Sequence, residues 1–203
     1  MSRVAFGLKA HSGWAALVAL AEDERARSLT VVDRRRLELV DPRDSDWAKQ
    51  PYHAAAGLDP ADAEDVVGRA IAAAHRHAGR ALEHALTDRS RAGDCVVGCG
   101  VLLGSGLPGW KVAEILAVHF RMHQAEGELF RGALLAGATQ AGLGVRGIRE
   151  KELEVTAGKA LGLPASQFGA RLAEAGRRAG PPGGRDQKEA ALAAWIALRE
   201  AAR

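Results

Sequence analysis

The first forty residues contain three strand-like segments separated by two short polar turns, and this arrangement leaves few folds open. Residues 3–10 are apolar and β-compatible, and the turn His11-Ser12-Gly13 follows. Residues 14–20, WAALVAL, form the second segment, and AEDERARS (21–28) reads as a charged turn. In residues 29–40, LTVVDRRRLELV, apolar and charged positions alternate with the period of a half-buried strand. Strands joined by short turns pair antiparallel, so the N-terminus predicts a three-stranded meander.

The rest of the chain alternates helix and strand. Residues 41–60 hold three prolines and several acids and read as a surface connection. Asp59-Pro60 opens a helix, with Asp59 the N-cap candidate and Pro60 in the first turn. Val67, Ile71, Ala74, Ala78, Ala81, Leu82 and Ala85 give that helix an apolar stripe, and it runs to about residue 90. DCVVGCGVLL (94–103) is a continuous apolar run of the buried-strand type. The Gly-rich loop 104–109 follows, then a long helical pattern over 111–141. Residues 143–150 read as a short strand and 151–180 as helix with Gly interruptions. RAGPPGGRD (178–186) is a hard break, and residues 186–203 form an amphipathic helix with Ala191, Leu192, Trp195 and Leu198 inside. Strands reached through helical crossovers add in parallel. The order predicts an α/β fold: a mixed five-stranded sheet with flanking helices, in a single domain over 1–203.

Composition narrows the class. The 203 residues are 47% hydrophobic and 26% charged, which excludes disorder as the main state and a disulfide scaffold. With 42 Ala and 24 Gly, the core must use small side chains and close backbone packing. A net charge of +3 permits phosphate binding without demanding it. No leader pattern or membrane-length apolar run is present, so a cytoplasmic protein is expected. Cys95 and Cys99 would share one strand face about 13 Å apart, too far to bridge. They read as reduced, buried residues.

The order of elements is that of the ribonuclease H-like superfamily, and two short stretches are similar in detail. GLKAHSGWAALVAL (7–20) resembles its first hairpin. DQKEAALAAWIAL (186–198) resembles the C-terminal helix of the bacterial-type Holliday-junction resolvases, where two acids three residues apart precede an Ala/Leu-rich stretch. Here those acids are Asp186 and Glu189. The resemblance implies a divalent-metal-dependent nuclease or phosphate-ester hydrolase acting on nucleic acid. One departure bears on that chemistry: where cleaving members carry an Asp on the first strand, this chain has Lys9. A charged lysine cannot ligate Mg²⁺.

Two functional readings follow. In a hydrolase, Glu126, Glu128, Asp186 and Glu189 would hold one or two Mg²⁺ or Mn²⁺ ions that activate water. His123 would be a ligand or general base, Lys9 would steady a phosphate oxygen, and His11, Ser12, Arg131 and Lys188 would contact substrate. In the alternative, the chain is a non-catalytic nucleic-acid or protein binding module that has lost the ions. There Lys9 pairs with Asp186 where relatives place a metal. The partners these readings allow are nucleic acid and a second copy of the chain, and no membrane.

Other constellations stand apart from this pair. His119, His123 and Glu126 share one helical face at spacings of four and three. Two imidazoles and a carboxylate suit a transition metal; Zn²⁺ ranks behind Mg²⁺ or Mn²⁺ for the chain as a whole. The other reading is a hydrogen-bonded helix–sheet contact. Gly104, Gly106 and Gly109 spell GxGxxG between a strand and a helix, but Pro108 interrupts it and the next strand ends near Glu150, some forty residues after Gly109 and about twice the expected gap to a ribose-binding acid. Either a nucleotide loop or a plain connection fits. Arg34 and Arg36 alternate against Arg35, which suits nucleic-acid contact or protection of a sheet edge. Pro51-Tyr52-His53 flanks the linker without a placed role.

Overall fold

The computed structural model describes residues 2–23, 28–179 and 183–202. Strands β1 (Ser2–His11), β2 (Trp14–Asp23) and β3 (Ser28–Glu38) form the expected antiparallel meander. Two short helices follow, α1 (Ser45–Ala48) and α2 (Pro51–Ala55), then the long α3 (Pro60–Arg91). After β4 (Asp94–Leu103) come α4 (Val112–Leu116), α5 (His119–Gln140) and β5 (Val145–Arg149). The chain ends with α6 (Leu153–Leu161), α7 (Phe168–Ala175) and α8 (Arg185–Glu200). The sheet order is β3-β2-β1-β4-β5, with β4 and β5 parallel to β1. This is the mixed five-stranded sheet with flanking helices that the ribonuclease H-like resemblance implies.

Alternation along β1 divides the molecule into two layers. Val4, Phe6, Leu8 and Ala10 face a core shared with α3 and α5. Ala5, Gly7 and Lys9 face the other way, toward α8. Two glycines set the distance of α8 from the sheet. A Cβ on Gly7 would fall 1.8 Å from the Ala190 carbonyl oxygen, and one on Gly100 of β4 would fall 2.3 Å from that of Ala193. The helix therefore rests on bare backbone, which the Ala-rich sequence permits on its own side as well.

Several expectations need correction. Helix α8 is not amphipathic along its middle: every residue from Ala190 to Leu198 is buried, because α6 and α7 cover the side away from the sheet. Residues 41–60 are not only a surface connection: Ala48, Tyr52 and Ala55 join the core through α1 and α2. The pattern over 111–141 breaks at Val118, whose extended backbone separates α4 from α5. Asp59 precedes α3 but makes no side-chain cap bond. Cys95 is exposed while Cys99 is buried. The β1–β4 register slips between Val4 and Ala5, so Cys95 pairs with Arg3 and Cys99 with Phe6, on opposite faces. Burial pushes the Cys99 thiol up to about 12, which keeps it protonated and inert. The expected turn at 21–28 and break at 178–186 fall partly outside the described residues. Among those described, β2 extends to Asp23 and α8 begins at Arg185.

Candidate functional site

The parallel strands β1, β4 and β5 end at the same edge of the sheet, the usual place for a site in such a fold. Lys9 lies near the end of β1, and Glu150 follows β5 directly. Because Gly7 and Gly100 let α8 sit low, its first turns bring Asp186 and Glu189 over Lys9. The Lys9 ammonium donates to Glu189 Oε2 and lies 3.2 Å from Asp186 Oδ1 and 3.8 Å from Glu150 Oε2. Lys9 is only 8% exposed. A buried lysine of this kind is tolerable only when carboxylates surround it.

A second cation extends the network. Arg131 of α5 donates to Glu150 Oε1 at 3.0 Å and lies 3.5 Å from Glu128 Oε1. Glu128 also accepts from the Gly106 amide at 3.3 Å, and Gln124 donates to the Gly106 carbonyl. A Cβ on Gly104 would fall 2.1 Å from Glu128 Oε1. The Gly-rich loop thus lies against α5 and gives its Gly106 amide to a glutamate of this chain. At the rim, Arg185 donates to Glu189 Oε1 at 2.7 Å, and His11 Nε2 approaches Asp186 Oδ2 to 3.0 Å.

The electrostatics agree with the geometry. Burial pushes the Lys9 ammonium down, but hydrogen bonds to Glu189 and Asp186 and the charges of Glu150 and Glu189 outweigh it; the net shift is upward. Burial pushes Glu189 up, yet hydrogen bonds from Lys9 and Arg185 and their charges hold it below the usual carboxylate range. Both groups stay ionised near neutrality. The ribonuclease H-like resemblance of the sequence implies Mg²⁺ or Mn²⁺ among such carboxylates. As arranged, three of the acids converge on Lys9, whose charge opposes a divalent ion and whose nitrogen cannot ligate one. The donor set around Lys9 does not suit that ion.

Beside this network stands a stacked group. The His11 and Trp14 rings lie 4.3 Å apart and nearly parallel, and the Arg36 guanidinium lies 4.1 Å from the Trp14 ring centroid. Ser12 is exposed at the hairpin turn. Lys188 is exposed on α8, lining a separate groove with Arg34, Leu172 and Arg177.

Helix α5 serves a second cluster. Glu126 and Glu128 are two residues apart, so they leave the helix on different sides. Glu126, 2% exposed, accepts from both the His53 amide at 3.2 Å and His53 Nδ1 at 2.8 Å. His53 belongs to α2. Its ring centroid lies 5.1 Å from that of His119 and 4.6 Å from that of His123. His119 Nε2 and His123 Nε2 are 3.1 Å apart. The buried Tyr52 hydroxyl is pushed up by burial first and by the Glu126 charge second.

Lys9, His11, Glu128, Arg131, Asp186 and Glu189 therefore meet at one edge of the sheet, and His119, His123 and Glu126 meet at α2. Sequence reasoning gave no role to Glu150 and left His53 unplaced. An acid directly after a parallel strand was the available signal for Glu150. For His53 there was none, because only the fold brings α2 to α5.

No family model matches the chain, and no curated protein matches it. Solved structures do. The chain is similar to Thermus thermophilus RuvC, with 16% identity, 98% of this chain and 92% of that chain covered, and a TM-score of 0.47. It is also similar to the T. thermophilus RuvC in complex with a Holliday junction substrate, with 15% identity, coverage of 97% and 91%, and a TM-score of 0.45. Among the described residues, no helix is long and apolar enough to cross a membrane.

Proposed function

We propose that this chain is a non-hydrolytic nucleic-acid-binding module, in which Lys9 supplies the positive charge that a metal ion supplies in cleaving relatives. The observation that carries the reading is the Lys9 ammonium among Glu150, Asp186 and Glu189. An internal cation keeps the acids together and the edge of the sheet ordered without an ion. It activates no water, since it has no open coordination position.

Nucleic acid is the ligand class that suits the rim. The His11–Trp14–Arg36 stack combines flat rings with a cation, the combination that meets bases and phosphates on single strands and distorted duplexes. Arg185 and Lys188 stand exposed on α8 and add backbone-directed charge.

Fluorescence anisotropy with labelled single-stranded, duplex and four-way-junction DNA tests the binding. The expected result is salt-sensitive binding weakened at least roughly tenfold by Trp14→Ala, given the usual worth of one base stack. Incubating the same substrates with Mg²⁺ or Mn²⁺ tests the chemistry. Intact substrate supports the reading. Metal-dependent cleavage lost in Asp186→Asn overturns it in favour of the hydrolase, with Glu128, Asp186 and Glu189 as its acids. Absence of binding to all three DNA forms overturns the nucleic-acid part.

A further inference from the structure

We propose that His53, His119 and His123 form a binding site for a divalent transition metal, with Zn²⁺ the best fit and Glu126 the residue that positions His53. This site is separate from the Lys9 network and does not depend on how that network is read.

Three observations carry it. First, one ligand nitrogen from each of the three rings lies within 4.8 Å of the other two, an arrangement found only here among the described residues. Tetrahedral Zn²⁺ with imidazole nitrogens at ~2.0–2.1 Å sets neighbouring nitrogens about 3.3 Å apart. The His119–His123 nitrogens already stand at 3.1 Å. Small rotations of exposed rings close the remainder.

Second, the ring of His53 is oriented by its partner. Nδ1 stands 2.8 Å from Glu126 Oε1, and a ring that donates from Nδ1 to a carboxylate offers the lone pair of Nε2 to an ion. Carboxylate–histidine–metal chains of this kind orient the ring and raise its basicity. Glu126 is held in turn by the His53 amide, so one buried carboxylate fixes both backbone and ring of the same residue. Burying a carboxylate there costs free energy that a leucine would not. A positioning role for an imidazole accounts for it.

Third, the ligands come from two rigid elements. His119 and His123 are one turn apart at the start of α5, and His53 sits on α2, which packs against α5 and α4. His119 and His123 are both exposed, so three protein ligands would leave one position facing solvent. That is the pattern of an open site able to take water or an anionic ligand, not of a closed structural one. Three imidazoles without thiolates select Zn²⁺, Co²⁺, Ni²⁺ or Cu²⁺ over Mg²⁺.

The glutamate named with His119 and His123 in the sequence thus changes its part. Glu126 is not a third ligand but the support of one, and His53 takes its place.

Calorimetric titration of the metal-free full chain with Zn²⁺, and visible spectroscopy with Co²⁺, test the proposal. One equivalent of Zn²⁺ should bind at micromolar or tighter affinity, and bound Co²⁺ should show the intense visible bands of a tetrahedral site. His123→Ala and His119→Ala, both at exposed positions, should each weaken Zn²⁺ at least roughly a hundredfold, and Glu126→Gln by about 10- to 100-fold. His84→Ala, a surface histidine of α3, should bind like wild type. If Glu126→Gln fails to fold, the two exposed histidine variants decide the matter. No saturable Zn²⁺ or Co²⁺ binding by wild type overturns the proposal. So does binding that survives His123→Ala but is lost in Asp186→Asn, since the ion would then belong to the carboxylates.

Discussion

The two clusters fed by α5 use similar residue types to opposite ends. Around Lys9, each carboxylate has a cationic partner in the same chain: Glu189 with Lys9 and Arg185, Asp186 with Lys9, Glu150 with Lys9 and Arg131. Around His53, a buried carboxylate points one imidazole at two others, and among the described residues no lysine or arginine pairs with that carboxylate. The first cluster is complete as an ionic lattice. The second has the make-up of the ligand set proposed above. A fold that places acids at its strand ends can keep them together with a lysine, while a different surface of the same helix gathers imidazoles around a single carboxylate.

The sharpest way to break this contrast is to remove the lysine. Lys9→Met should cost about 3 kcal/mol in urea unfolding, because three acids lose their shared counter-charge. Added Mg²⁺ should restore part of that loss in the variant and leave wild type unchanged. A wild type that gains stability from Mg²⁺ through its carboxylates would erase the distinction.

Next in size is Gly7→Ala. A Cβ 1.8 Å from the Ala190 carbonyl forces α8 off the sheet and should cost about 2 kcal/mol. It should also disturb the Lys9–Glu189 contact while sparing Zn²⁺ binding at the histidines. Gly109→Ala, where a Cβ meets nothing within 4 Å, is the control.

The two clusters should also separate by pH. Glu189 is lowered in the folded chain, so its stabilisation is present above the ordinary glutamate value and is lost as pH falls through the folded value. Lys9 is raised, so its share is present below the ordinary lysine value and is lost as pH rises through the folded value. Thermal melts should show a plateau from about pH 5 to about pH 10, and Lys9→Met, lower throughout that range, should lose the part of the alkaline decline that Lys9 contributes. Zn²⁺ affinity should instead fall as the medium becomes acidic, since imidazole must be neutral to ligate.

The smallest effect is expected from Arg185→Ala. Its side chain reaches Glu189 from solvent, so the melting temperature should stay within replicate scatter. A large loss would show that Lys9 alone does not hold the acids.

Much of the fold was legible from pattern. The long α3 declares its period because one side of it is buried and the other is not, whereas β1, β2 and β4, buried on both faces over most of their length, show as continuous apolar runs. The all-buried α8 was read as amphipathic because alanine is small enough to lie on either side; what covers it, α6 and α7, is tertiary. Site legibility divided the same way. Lys9, Asp186 and Glu189 stood on elements whose contact the fold class implies. His53 stood on a five-residue helix inside a Pro-rich segment, with nothing local to show that Glu126 faces it from 73 residues away.

Mg²⁺ calorimetry on wild type and Lys9→Asp tests the central claim most directly, since Mg²⁺ seeks oxygen ligands and largely ignores imidazole. Replacement of the ammonium by a carboxylate should create saturable Mg²⁺ binding, while wild type gives only the heat of dilution. Saturable Mg²⁺ binding by wild type, abolished in Asp186→Asn, would contradict the claim that Lys9 stands in for the ion.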